Sequence, residues 1–137
     1  MRKDDIEEGK RWLRQAEEDL EAAQSLLEAK KYYMVCFVSQ QVAEKALKAY
    51  LYAHGEEFLF SHSVWKLCQL STNYDKEFSS LRSKVKNLDI YYTEARYPNS
   101  LDSGIPAEFF EEKDATQARK MAEEVIIFVK KRLKSDY

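Results

Sequence analysis

The sequence predicts an all-α fold, an up-and-down helical bundle of four long helices plus one short helix, in a single domain over residues 1–137. Three observations predict it. Only three Gly and two Pro punctuate the chain, too few breakers for a turn-rich β architecture. Glu, Lys, Ala and Leu, all strong helix formers, fill the periodic segments. Within those segments apolar residues return at i, i+3, i+4 and i+7, the spacing of one helical face.

The first helix is expected over about residues 5–29. Ile6, Leu13, Ala16, Leu20, Ala23 and Leu27 form its apolar stripe, with Trp12 beside it. Asp4 or Asp5 is placed to cap its start, with Glu7 or Glu8 three residues on. Lys30-Lys31 then complements the negative end of its dipole. After a very short turn the second helix follows over about residues 32–54, antiparallel to the first. Gly55 suits the left-handed position just past its end.

Residues 56–60 form a loop whose Phe58 and Phe60 are expected to tuck against the bundle. The brief third helix covers about residues 63–70, with Ser61 as its N-cap. The fourth is expected to run unbroken over about residues 75–95, turning Phe78, Leu81, Val85, Leu88, Tyr92 and Ala95 inward. The last spans about residues 115–134, capped by Asp114 with Gln117 in the capping-box position. Ala118, Ala122, Val125, Val129 and Leu133 form its inner face, and its basic end complements the helix dipole. The stretch 96–113 holds both prolines and Gly104. Connections in bundles are usually ~2–8 residues, so one this long is either functional or mobile.

The second helix is the most informative segment. Phe37, Gln40, Glu44, Leu47 and Leu51 share one side of it, and Gln41, Lys45 and Lys48 lie on an adjacent stripe. Val38, Val42, Ala46 and Ala49 supply a further apolar surface. A helix this apolar nearly all round belongs at the centre of a bundle. A carboxylate and two amides beside a core are costly unless hydrogen-bonded or paired. Either they knit the core together or they line a site.

Composition narrows the function. Hydrophobic residues at 45% and charged residues at 34% suit a soluble globule, and the net charge of −2 gives no global attraction for nucleic acid or an anionic membrane. Neither duplex nucleic acid nor a membrane is an expected partner. Cys36 and Cys68 stand apart with no metal-ligand spacing, which reads as buried reduced thiols of a cytoplasmic protein. No apolar stretch follows Met1-Arg2-Lys3-Asp4-Asp5, so no secretory signal is expected, and no segment approaches the ~20 apolar residues of a membrane span. Glu-x-x-His, a phosphate-cradling glycine loop, a Ser-His-Asp context and zinc spacing are all lacking. No metal, cofactor or catalytic residue is assigned.

The run Phe37 to Ala49, with its Gln40-Gln41 pair and Ala43-Glu44-Lys45-Ala46-Leu47-Lys48-Ala49, is followed by Gly55 and His62. Ala95-Arg96-Tyr97-Pro98 lies far downstream, and Trp12 through Asp19-Leu20 and Ala23 lies upstream. In this order these segments resemble the HEPN domain family across almost the whole chain. The resemblance implies the helical bundle and, for many members, metal-independent ribonuclease activity using an Arg and a His separated by four to six residues. Here no arginine is followed by a His at that spacing; after Arg96 the positions hold Leu101, Asp102 and Ser103. This departure argues against ribonuclease activity.

Arg96 is the best single site candidate. Tyr97, preceding Pro98, is pushed out of helical geometry, which holds the guanidinium at a bundle edge where its fork suits a phosphate or carboxylate. Pairing with Glu44, or with the carbonyls ending the fourth helix, is the structural alternative. Tyr91, Tyr92 and Tyr97 can stack a base beside it, or pack in the core or at a dimer interface. Lys45 and Lys48 can complete an anion site or remain solvated. His62 can carry a proton near neutral pH or serve as a hydrogen bonder at a helix start; His54 reads as a charge complement to a helix end. The expected function is therefore a non-catalytic protein binding a nucleotide or polyanion through Arg96, Tyr97, Lys45, Lys48, His62, Glu44 and Tyr92. The resemblance further implies pairing with a minimal nucleotidyltransferase in a toxin–antitoxin-type system, and a homodimer. The alternatives are a ribonuclease toxin in which His62 meets Arg96 from another helix, and a purely structural dimeric module.

Overall fold

Helices α1 (Lys3–Glu28) and α2 (Tyr32–Ala53) form an antiparallel hairpin in the computed structural model, which describes residues 1–136. The hairpin turns without a glycine. Lys30 takes the left-handed conformation at φ 62, and the Lys31 and Lys30 amides close onto the Leu26 and Leu27 carbonyls at 2.9 and 3.0 Å, a Schellman ending. The same motif ends α2, where Gly55 at φ 90 occupies the left-handed position as expected. At its start, α1 is capped by neither Asp4 nor Asp5. The cap residue is Arg2, and both aspartates lie in the first turn, where they complement the positive end of the dipole.

Helix α2 is the axis of the fold. It is flanked by α1 on one side and by α7 (Glu112–Asp136) on another, and α3 (Val64–Ser71) packs against it as well. Its Val35, Cys36, Val42, Ala43, Ala46, Leu47, Tyr50 and Leu51 are all buried, as the all-round apolar pattern requires. Helix α1 buries only Gly9, Ala16 and Ala23. At Gly9 the two backbones come so close that a Cβ would lie 2.8 Å from the Ala49 carbonyl oxygen.

The expected fourth helix is broken. Helix α4 (Phe78–Val85) passes into a 3₁₀ segment at Lys86–Ile90 and then into the short α5 (Tyr91–Glu94). Of the residues expected inward, Phe78, Leu81, Val85, Leu88 and Ala95 are nonetheless buried, whereas Tyr92 is only half-buried. The break accompanies a specific demand on Asp89. Its carboxylate accepts hydrogen bonds from Ser63 Oγ (2.8 Å), the Val64 amide (2.6 Å) and the Trp65 amide (3.1 Å), covering the start of α3. The N-cap of α3 is Ser63, whose Oγ accepts from the Lys66 amide, rather than Ser61, which accepts from the Ser63 amide one step earlier.

Two other expectations change. Phe58 and Phe60 do not tuck in: they are 77% and 80% exposed, and Leu59 between them packs on the core instead. The 96–113 stretch is partly ordered into a 3₁₀ turn at Pro98–Ser100 and a short helix α6 (Pro106–Phe109). Helix α7 starts at Glu112, three residues earlier than expected, with Asp114 reaching back to the Glu111 amide at 2.9 Å. No helix among the described residues is long and apolar enough to cross a membrane.

Candidate functional site

Beyond the 3₁₀ segment at Lys86–Ile90, α5 packs against α2. Arg96, one turn beyond Tyr92, bonds the Tyr92 carbonyl through Nε, the helix-end pairing left open by the sequence. Its guanidinium carbon lies 4.6, 4.5 and 4.9 Å from the ring centres of Phe37, Tyr92 and Tyr97. It forms no ion pair with any carboxylate among the described residues, Glu44 included. Three rings thus frame a cation whose charge is not neutralised by a neighbouring acid. Each such contact is worth about 0.5–2 kcal/mol depending on solvation.

Tyr92 joins this arginine to a second cluster. The His62 ring stacks on Tyr92 at 4.9 Å between centres and 15° between planes. Three further contacts orient His62: Nδ1 lies 3.3 Å from both carboxylate oxygens of Glu44, and Gln40 Nε2 donates to the His62 carbonyl at 2.6 Å. Glu44 itself is buried. It receives Lys48 Nζ at 3.1 Å and Gln41 Nε2 at 3.4 Å, and Gln41 also donates to Gln40 Oε1 at 2.7 Å. Lys48 is equally buried and lies 5.8 Å over the Trp12 ring. Gln40, Gln41, Glu44 and Lys48, the polar interruptions of this face of α2, are therefore all hydrogen-bonded. Their network ends at the surface in one imidazole whose side chain is 54% exposed.

Of the residues singled out in the sequence, Arg96, Tyr97, Tyr92, His62, Glu44 and Lys48 fall into one continuous arrangement. Lys45 does not. It pairs with Asp19 at 2.6 Å and borders a separate groove of about 680 Å³, lined also by Glu8, Arg11, Trp12, Arg14, Gln15 and Glu18. Two of that groove's cations are matched by acids, Arg11 by Glu8 at 2.8 Å and Lys45 by Asp19. Tyr91 turns away from Arg96 and meets the Phe110 ring edge-on, its phenol pushed up to about 12 by burial and then by nearby negative charge, including Asp114 and Glu94. His54 packs against both the Tyr50 and Tyr74 rings, at 4.5 and 4.4 Å between centres, rather than serving only as a charge complement.

Sequence reading gave Phe37 no role at Arg96, where it supplies the third ring, and missed Asp89, which fixes the helix start that follows His62; Gln40, one of the two amides singled out on α2, holds the His62 backbone. Phe37, Gln40, Glu44 and Lys48 recur along α2 at helical intervals, a signal pointing to one face; nothing local marks Asp89. Among the described residues no group of three or more His, Cys, Asp or Glu side chains is arranged to hold a metal ion.

Comparison with known proteins gives a consistent picture. The HEPN domain family profile matches residues 10–133. A protein of Methanocaldococcus jannaschii named "Putative toxin MJ1304" is 30% identical over 141 residues, covering 96% of this chain and 92% of that one. The crystal structure of TT1696 from Thermus thermophilus superposes with a TM-score of 0.83 at 32% identity, covering 90% of this chain and 96% of that one. That of ST0689, described as an archaeal HEPN homologue, gives a TM-score of 0.73 at 34% identity, over 91% and 97% of the two chains.

Proposed function

The chain belongs to the HEPN domain family, and on that premise we propose that it is a non-catalytic member that binds a nucleotide or related polyanion at the Arg96 corner. The observation that carries this reading is the Arg96 guanidinium, framed by Phe37, Tyr92 and Tyr97 and matched by no acid among the described residues. A guanidinium fork suits a phosphate, and Tyr97, half-exposed at 47%, offers a ring to a base. The relative named as a toxin supports placing the chain in a toxin–antitoxin-type system. There its partner would be a minimal nucleotidyltransferase, and its own assembly a homodimer.

Thermal-shift titration with ATP, GTP, CTP, UTP and inorganic triphosphate tests the ligand. A ligand at ~100 times its dissociation constant adds about 2.7 kcal/mol to stability. A base-dependent shift lost in Arg96→Ala is the expected result, whereas an equal shift with triphosphate reduces the site to an anion site. The absence of any shift removes the nucleotide reading. Co-purification with a co-expressed nucleotidyltransferase tests the partner.

A second reading has one observation in its favour: Arg96 and His62, remote in sequence, both contact the Tyr92 ring. That is the pair a ribonuclease of non-standard arrangement would need. Cleavage of single-stranded RNA that disappears in both His62→Ala and Arg96→Ala would replace the binding role with this one.

A further inference from the structure

The carboxylate behind His62 decides what its exposed nitrogen can recognise. Glu44, paired with Lys48 Nζ at 3.1 Å, is a carboxylate and can only accept hydrogen bonds. With Nδ1 of His62 at 3.3 Å from both its oxygens, the neutral imidazole keeps its proton on Nδ1 and donates it to Glu44. Nε2 then carries a lone pair. It has no partner among the described residues and belongs to a side chain 54% exposed. Turning the ring over would put the Cδ2 carbon where Nδ1 now faces both Glu44 oxygens, so the hydrogen bond to Glu44 favours this orientation.

We propose that His62 Nε2, set as an acceptor by the buried Glu44–Lys48 pair, reads an uncharged hydrogen-bond donor on a phosphate ester whose phosphate is held by Arg96. The inference rests on the anion role proposed for Arg96 and adds the chemistry of the rest of the ligand. Both ends border one residue: the guanidinium and the imidazole are 4.5 and 4.9 Å from the centre of the Tyr92 ring. A phosphate repels a neutral Nε2 lone pair, so the two groups divide the ligand between them, with the phosphate on Arg96 and the donor on His62. In a nucleotide that donor is a ribose hydroxyl or an exocyclic amino group of the base. Glu44 and Lys48 act here as positioning residues and touch no ligand.

The test compares ATP with 2′,3′-dideoxy-ATP, which lacks the sugar hydroxyls, and with purine riboside triphosphate, which lacks the amino group, by calorimetric titration of wild type and His62→Phe. Phenylalanine retains the stacking on Tyr92 and removes the acceptor. One of the two analogues is expected to bind the wild type about fivefold more weakly, the value of one net hydrogen bond, and to bind His62→Phe as well as ATP does. Loss with the dideoxy analogue identifies the sugar as the source of the donor; loss with purine riboside triphosphate identifies the base. Equal binding of all three to the wild type overturns the inference while leaving nucleotide binding intact. Absence of any binding overturns both. Independently of ligand, ¹⁵N spectra of the His62 ring are expected to show a protonated Nδ1 and a bare Nε2; a dominant Nε2–H tautomer overturns the inference.

Discussion

Glu44 and Lys48 lie one helical turn apart on α2, 3.1 Å from Nζ to carboxylate, with only 6% of either side chain open to solvent. Taking two charges out of water costs several kcal/mol each, which mutual attraction and the added bonds from Gln41 and His62 offset. Removing Lys48 leaves the buried Glu44 charge with only its Gln41 and His62 contacts. Lys48→Met is expected to destabilise the fold by about 3–5 kcal/mol, and Glu44→Met/Lys48→Met by less than the sum of its single changes. Urea unfolding of the single and double variants measures this.

Gly9→Ala sets two effects against each other. Alanine gains ~1 kcal/mol of helix propensity, but the new Cβ would sit 2.8 Å from both the Ala49 carbonyl oxygen and the Ala53 Cβ. Neither is the end of a flexible side chain, so α1 and α2 must separate. A net loss of about 1–2 kcal/mol is expected, read as a lower denaturation midpoint with an unchanged slope.

Asp89 caps a helix distant from it in sequence. In Asp89→Asn one acceptor oxygen and the charge at the start of α3 are lost, against three donors now served. A cost of about 1–2 kcal/mol is expected. Hydrogen exchange should quicken first at the Val64 and Trp65 amides; unchanged exchange there would remove Asp89 from this role.

Burial pushes the thiols of Cys36 and Cys68 from 9.0 up to about 12, with Asp114 and Asp89 adding to the shift. Above about pH 9 the unfolded thiols lose protons that the folded ones keep, so the unfolded state binds fewer protons and stability falls as pH rises. The loss is complete only once pH passes the folded value of about 12. Each thiol contributes up to ~1.4 kcal/mol per pH unit. Around pH 9, a unit below the ordinary tyrosine value of 10.0, Cys36→Ala/Cys68→Ala is expected to flatten the profile. Native protein should also resist alkylation at pH 8.

Periodicity made the helices legible because burial follows it: α2 reads as central from its apolar sides alone, and it is. The unbroken fourth helix was expected for the same reason, since Phe78, Leu81, Val85 and Leu88 keep helical spacing through the 3₁₀ segment. What breaks it involves Asp89 binding amides of another segment, a tertiary demand with no local pattern. The site divides along the same line. Arg96 and Tyr97 stand out beside a proline, and Glu44 as a charge on an apolar helix. Their connection through His62 and Tyr92 depends on chain paths that spacing does not encode. Phe58 and Phe60 were misplaced because hydrophobicity alone does not tell which of three neighbouring apolar residues faces inward.

The loop that bends back from α2 is held through Leu59, and it returns His62 to Glu44 across an interval of 18 residues. Its length is therefore as binding a constraint as any side chain. A homologous chain could keep both residues yet lose their contact through a single inserted residue after Leu59. Relatives sharing this arrangement are better sought by that fixed interval than by overall identity, and an alignment gap within it would mark a lineage in which the imidazole has been released to other uses.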